Sequence, residues 1–337
     1  MNRNTYFCLF FKVLLGVLFF LGSSFFPANT EEKVVRLVPE EYDVWSCDWS
    51  VDGRIAFAGK LQGEKGIKTR IWLCRPDSES SPVHWTETGS LVDFSPRWSP
   101  EGDGVVMVRR KIEDPLEEGL HSSIWWKAYP SGEGRQLTGG PWDLDPSWSP
   151  DGEFIVFVRG DGPFLSSLAA VGKNGGEVMQ LTPLREGCIM APVWTVDNRI
   201  YYTVLELEEE QVDLEDENYT TQRIGKGDIW YLDLMTKEEK PFLADEFDNR
   251  YSAVSPDGRY LAFVSTRGVT VDETRPVRDR AALFVFDLVT GQQYLVGQGV
   301  NINGAPPVWS SDGKKLSFFS FRQNQPAMWT MPWEPAG

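Results

Sequence analysis

Histidine is almost missing from this chain: His84 and His121 are the only two in 337 residues. Neither has a cysteine or carboxylate neighbour at metal-ligand spacing, so an imidazole-based metal centre has no candidate ligand set. No G-x-S-x-G sequence occurs, which excludes the nucleophile elbow of an α/β-hydrolase. Basic residues are outnumbered, 33 against 49, for a net charge of −16. Phosphate backbones and anionic lipid surfaces repel such a body, so nucleic acid is excluded as a partner. Cysteine is sparse, at four. Long helical periodicity is absent throughout, and with it any expectation of an α-helical domain.

The first 28 residues stand apart from the rest. Arg3 and Lys12 are the only charges before Glu31, Val13–Leu21 is apolar, and Gly22, Ser23 and Ser24 follow. This is the pattern of an export signal, with cleavage expected after Ser24 or Ala28. The alternative is an uncleaved membrane anchor, the apolar stretch approaching spanning length once Lys12 is tolerated. Cys8 precedes the apolar core, so it is not placed as a lipoprotein acceptor. Loss of residues 1–28 removes two basic residues and no acids, leaving 31 against 49, a charge of −18. The protein is therefore expected to be exported, periplasmic or extracellular, and to meet a membrane only through an uncleaved leader.

Beyond the leader, one pentad recurs. Trp148–Gly152 reads WSPDG, with counterparts WSVDG at Trp49, WSPEG at Trp98, WTVDN at Trp194, VSPDG at Val254 and WSSDG at Trp309. The anchors stand 49, 50, 46, 60 and 55 residues apart. Asp-Gly between alternating apolar runs is a tight-hairpin signal, because Gly accepts positive φ and Asp bonds its own backbone. A third apolar run follows each hairpin (TRIWLCR, SSIWWKAY, the degenerate SLAAVG, DIWYLDL, ALFVFDL, AMWTMPW), and a short fourth run ends most units. Four antiparallel strands per unit, repeated, make the blades of a propeller. The sixth unit stops after its third strand. Lys33–Pro39 (KVVRLVP) has the fourth-strand pattern, so Val34–Val38 is expected to complete blade six and close the ring.

The WSPDG pentad with its trailing apolar run resembles the WD-repeat-like propeller of TolB and its relatives. The resemblance covers nearly all of the chain after residue 32 and the propeller part only. It implies an all-β, six-bladed propeller over residues 33–337. The leader, and the absence of histidine and nucleophile constellations, point to an exported, non-catalytic, TolB-like protein that binds a protein partner or other ligand at the cell envelope, or serves there as a scaffold tethered by an uncut leader. The alternative left open is an extracellular enzyme using carboxylates at the channel mouth, on carbohydrate for example.

Several residue sets then need a role. The turn acids Asp52, Glu101, Asp151, Asp197, Asp257 and Asp312 are expected to serve their own turns, and the anchor tryptophans to pack between blades. Cys47 and Cys74 fall on the first and third strands of one blade, about 9.5 Å apart, too far for a disulfide; with Cys188 they are expected to be free thiols. Connections between second and third strands are long in blades one, two, four and five, which marks that face as the binding face. The longest, Leu205–Gly227, has eight acids among the twelve residues of 206–217. It reads as a solvated, mobile charge block, with a weak Ca²⁺ site as the alternative and no EF-hand spacing behind it. Otherwise no cofactor is expected. Finally, Asp43, Asp93, Asp143, Asp248 and Asn303 precede the anchors by five or six residues, in the links that approach the channel. They are the candidate ligand-binding set, or else they cap their own turns. As link residues, their neutralisation is expected to cost about 1 kcal/mol each in lost turn hydrogen bonds.

The leader generates the first prediction. Amino-terminal sequencing of protein recovered outside the cytoplasm should begin between Phe25 and Thr30; full-length chain in the membrane fraction would establish the anchored form instead.

Overall fold

The computed structural model describes residues 26–27 and 34–335, except 67, 77, 79, 88, 112–120, 163, 215–216 and 270–278. The expected leader thus lies outside the described residues, save that Phe26–Pro27 pairs in parallel with the outer strand of blade five, Gln293–Val300. Among the described residues no helix is long and apolar enough to cross a membrane.

Six blades follow one another along the chain. Blade one is Tyr42–Trp49, Ile55–Leu61, Arg70–Cys74 and Val83–His84, paired in that order. The inner strands of blades two to five are Leu91–Trp98, Trp142–Trp148, Cys188–Trp194 and Asn249–Val254. Blade six contributes Val308–Trp309, Lys315–Ser320 and Ala327–Pro332, and its fourth strand is Val35–Arg36. The amino-terminal strand therefore closes the ring, with Val35 opposite Thr330 and Arg36 opposite Trp329. The Leu37 amide extends the seam to the Met328 carbonyl at 2.9 Å. Arg36 fastens it from the side, donating to the Val38 and Tyr42 carbonyls and to Gln325 Oε1.

The core is not one mass but six layers, one between each pair of blades. The layer between blades six and one holds Leu37, Val38, Val44, Phe57, Phe319 and Met328, with Trp49 against it. The layer between one and two holds Trp98, and that between five and six holds Trp309 with Trp333 and Tyr260. Trp148, Trp194 and Val254 pack against the remaining three layers. Each anchor thus sits between its blade and the one before, as expected from its bulk. Several also hydrogen-bond backward: Trp148 Nε1 to the Arg97 carbonyl, Trp309 Nε1 to the Ala253 carbonyl and Trp49 Nε1 to Ser317 Oγ.

The pentad's turn explains its own sequence. The hydroxyl after the anchor donates to the turn acid, Ser50 to Asp52, Ser149 to Asp151 and Ser310 to Asp312, while the acid accepts backbone amides. Blade two departs from the expectation: its turn has the same span as that of blade three, but glutamate stands at 101 where aspartate stands at 151, and Ser99 donates to Asp103 instead. The hydroxyl's bond to Asp151 holds that carboxyl below its usual range, as the Ser310 bond does for Asp312. Successive turns also interlock. A Cβ at residue 102 would lie 3.1 Å from Val51 Cγ1, and one at residue 258 would lie 3.0 Å from Val196 Cγ2. Glycine at 258, already at φ +74°, is needed both for the turn and for the neighbour.

Cys47 is buried and Cys74 and Cys188 are partly so, with no disulfide among the described residues. Burial pushes the Cys74 thiol up to about 12. The acidic insertion is the main correction. It is not a loop. The second and third strands of blade four, Arg199–Leu214 and Glu217–Asp233, pair as one long hairpin from Arg199 opposite Asp233 out to Leu214 opposite Glu217, with a single register shift near Leu205. Cross-strand backbone pairing overrides the solvation preference that the charge count suggested, since opposite the acid-rich strand runs the β-favouring, nearly uncharged NYTTQ.

Ring closure generates the second prediction. Leu37 is 5% and Val38 3% exposed, and burying each side chain stabilises by about 1.5–3 kcal/mol. Deleting Lys33–Pro39 should lower the melting temperature by roughly ten degrees, read by circular dichroism. An unchanged melting temperature would mean the closing strand carries no stability.

Candidate functional site

Two cavities lie along the ring's axis. The inner strands of all six blades line a narrow channel cavity of about 250 Å³, bordered by Asp48, Arg97, Asp145, Val193, Ala253 and Val308 among others. At the face where second strands pass into third strands, a mouth cavity of about 800 Å³ opens between blades two to five. Its walls include Phe94, Trp142, Leu144, Leu165, Ile189, Met190 and Tyr251, with Ser95, Asp145, Arg250 and Asn303 supplying polar atoms. An apolar recess with a few convergent polar groups is the usual form of a binding site.

A shared distortion shapes both cavities. Inner strands of blades two to five break register two residues before the anchor's neighbour, between Phe94 and Arg97, Leu144 and Ser147, Met190 and Val193, and Arg250 and Ala253. The residue in each break takes a left-handed conformation: Ser95 at φ 51°, Asp145 at 49°, Ala191 at 47°, Tyr251 at 59°. Non-glycine residues pay for that conformation, and it persists only where neighbours enforce it. Bonds between blades enforce it here. The Ala191 amide donates to Asp145 Oδ2 at 3.0 Å and the Tyr251 amide to Thr203 Oγ1 at 2.9 Å.

The five candidate residues divide. Asp93 is 1% exposed and paired through both oxygens with Arg109, at 2.7 and 3.0 Å. Asp143 is fully buried and paired the same way with Arg159, at 2.8 and 2.9 Å. Each bond joins the first strand of a blade to its second, across directly opposed positions. These two are not brought together. Asp248 and Asn303 are, through Arg250, whose Nε donates to Asp248 Oδ1 at 2.7 Å and whose Nη1 donates to Asn303 Oδ1 at 2.6 Å. Asp43 is half-buried opposite Lys60 in blade one. The register equivalent of Asp93 and Asp143 in blade five is Asn249, opposite Ser265, not the adjacent Asp248. The signal for the pairs was an arginine sixteen residues after the aspartate in blades two and three.

Asp48 and Asp145 were not singled out from the sequence. Asp48 Oδ2 accepts the Trp98 amide at 2.7 Å across the seam between blades one and two. Burial pushes its carboxyl up to about 6, against the opposing pull of Arg97 and of two backbone amides. His84 lies edge-on to Trp72 in a short outer strand, and burial lowers its pKa. Among the described residues no group of three or more His, Cys, Asp or Glu side chains is arranged to hold a metal ion.

No family model and no curated protein matches the chain. Solved structures do. TolB from Acinetobacter baumannii superimposes with a TM-score of 0.61 at 17% identity, over 85% of this chain and 65% of that one. The chain therefore spans about two thirds of that protein's length. A putative TolB from Agrobacterium tumefaciens gives 0.58 at 17% identity, over 89% of this chain and 97% of that one. An oligogalacturonate lyase in complex with manganese gives 0.56 at 16% identity, over 93% and 96%. These likenesses establish the β-propeller fold.

The paired acids generate the third prediction, and it corrects the small cost expected of link residues. Removing one partner of a buried ion pair costs about 3–5 kcal/mol, because the other charge stays buried alone. Asp93→Asn and Asp143→Asn should each destabilise by that order in denaturant unfolding, far more than a turn bond. Asp48→Asn should behave in the opposite sense at neutral pH. Because Asp48 is raised from 3.8 to about 6 when folded, the unfolded chain releases its proton first, and stability falls as pH rises from about 4 to about 6. The variant lacks that fall, so its stability relative to wild type should increase across the same interval in urea titrations.

Proposed function

We propose that this protein is an exported, non-catalytic propeller that binds a protein segment in its mouth cavity. The observation that carries the reading is an apolar-walled recess of about 800 Å³, with the nearby link acids Asp93, Asp143 and Asp248 already committed to arginine partners. A carboxylate held by both oxygens against an arginine is poorly placed to move protons. An enzyme working through the link carboxylates needs acids free to do so, and Asp93 and Asp143 are not. The propeller fold shared with TolB supports a binding role at the cell envelope, and the apolar leader supports export to it. Of the candidate set only Asn303 lines the recess, where Arg250 bridges it to Asp248. A body with excess negative charge favours a basic or neutral partner over an acidic one.

The test is selection of peptides from a random displayed dodecapeptide library, on wild type and on Leu165→Arg. Leu165 is a partly exposed wall residue at the start of a third strand, so the substitution fills the cavity without entering the blade interfaces. Peptides enriched on wild type should fail to bind the variant. Equal enrichment on both would move the binding site elsewhere, and turnover of an acidic oligosaccharide by wild type would replace the reading with the enzymatic one.

A further inference from the structure

Among the described residues, Asp145 alone lines both the mouth cavity and the channel cavity. It stands at the neck between them, in the left-handed conformation of its strand break at φ 49°. Of the four equivalent residues, Ser95, Asp145, Ala191 and Tyr251, it alone carries a charge. Its carboxylate differs from those of Asp93, Asp143 and Asp248 in what it lacks. Asp93, Asp143 and Asp248 each hold an arginine. Asp145 has one hydrogen bond, from the Ala191 amide to Oδ2 at 3.0 Å, and no ion pair among the described residues.

The surroundings match that unspent charge. Phe94, Trp142 and Tyr251 wall the same cavity, and aromatic faces attract cations, most strongly where water is excluded. Burial, and the nearby Asp145 carboxylate after it, hold the Tyr251 hydroxyl protonated well above its ordinary range. Arg250 is the cation of the mouth lining, and it is spent: its side chain is 8% exposed and bonded to Asp248, Asn303 and the Gly225 carbonyl. In the channel, Arg97 donates to the Pro96 and Cys47 carbonyls.

We propose that the Asp145 carboxylate, at the neck below the aromatic mouth, receives the organic cation of a bound peptide: an ammonium or guanidinium group carried in on an apolar stem. This rests on the mouth cavity being the binding site and names the chemistry it selects. The apolar stem lies along Trp142, Leu144 and Ile189, and the cation reaches Asp145 Oδ1 while Oδ2 keeps its backbone bond. The strained backbone has a use in this arrangement, since it turns the carboxylate out of the strand ladder and into the neck.

The first measurement uses wild-type protein and two probes of matched shape, n-hexylammonium chloride and hexan-1-ol, followed by chemical shift changes and calorimetry at low salt. The ammonium should bind about tenfold more tightly or better, a difference of about 1.4 kcal/mol, and the advantage should shrink as salt rises. It should vanish in Asp145→Asn, which keeps an oxygen for the Ala191 amide. Equal affinity of the two probes for wild type overturns the proposal whether or not the variant folds. The second measurement distinguishes the source of the cation. Peptides selected on wild type are resynthesised with an acetylated amino terminus, or with norleucine in place of Lys and norvaline in place of Arg. Loss of binding in the first set assigns the terminal amine, and loss in the second assigns a side chain. Retention in both sets, with Leu165→Arg still abolishing binding, overturns the cation and leaves the binding cavity standing. Retention with Leu165→Arg also binding would instead overturn the cavity itself.

Discussion

Everything in this fold depends on burying aromatic surface between blades. A single four-stranded blade has two faces and can cover neither alone. Each layer is completed only by the next blade, so the sequence of layers must return to its start. The chain solves this with two joints of different kind. Five layers lie between neighbours in sequence. The sixth joins residues near 37 to residues near 328, and Val35–Arg36 must pair with Ala327–Pro332 for it to exist. The amino-terminal strand is thus a condition of the ring and not an accessory to it, and Arg36, with bonds to three separate residues, is its fastening.

Much of this was legible in the chain because the same constraint acts six times. The pentad repeats because anchor, hydroxyl, acid and glycine serve one joint and one turn, and a position that must satisfy both leaves a plain mark. Where glutamate replaces the turn aspartate, as at Glu101, the role moves to another acid, Asp103, and the pattern misleads. The blade-four insertion misled for a different reason. Its composition is that of a solvated loop, while its pairing is set by a partner strand that follows it, and composition within one strand carries no record of cross-strand register. The candidate acids were found as a set, but their partners were not. Asp93 and Asp143 lie opposite Arg109 and Arg159 because the strand break adds a residue that plain alternation does not count. Asp145 was invisible for the same reason, since nothing in the sequence Asp-Leu-Asp-Pro announces that the second aspartate turns into the neck.

The two kinds of acid around the axis now separate by what they hold. Acids matched by arginine fix one strand of a blade to the next and cannot be spared. Acids matched only by backbone amides, Asp48 and Asp145, stand where the blades leave space. Charge that is neutralised in place organises the wall, and charge that is not is available to whatever enters. At opposed positions on paired strands an aspartate can meet a long side chain, as Asp93 and Asp143 do, whereas Asp145, in a strand break, is held by a backbone amide.

The long hairpin of blade four has a consequence beyond its blade. Past Leu205 and Gly227 its two strands continue for eight paired positions, a reach of about 25 Å at strand rise. Among the described residues no further strand pairs with this stretch of the ribbon, and unpaired strand edges are the arrangement by which chains stack edge to edge. Eight acids within residues 206–217 set like charge along any second copy that tried to lie beside it. Like charge of that density opposes edge-to-edge pairing of two copies, as charged side chains on strand edges generally do.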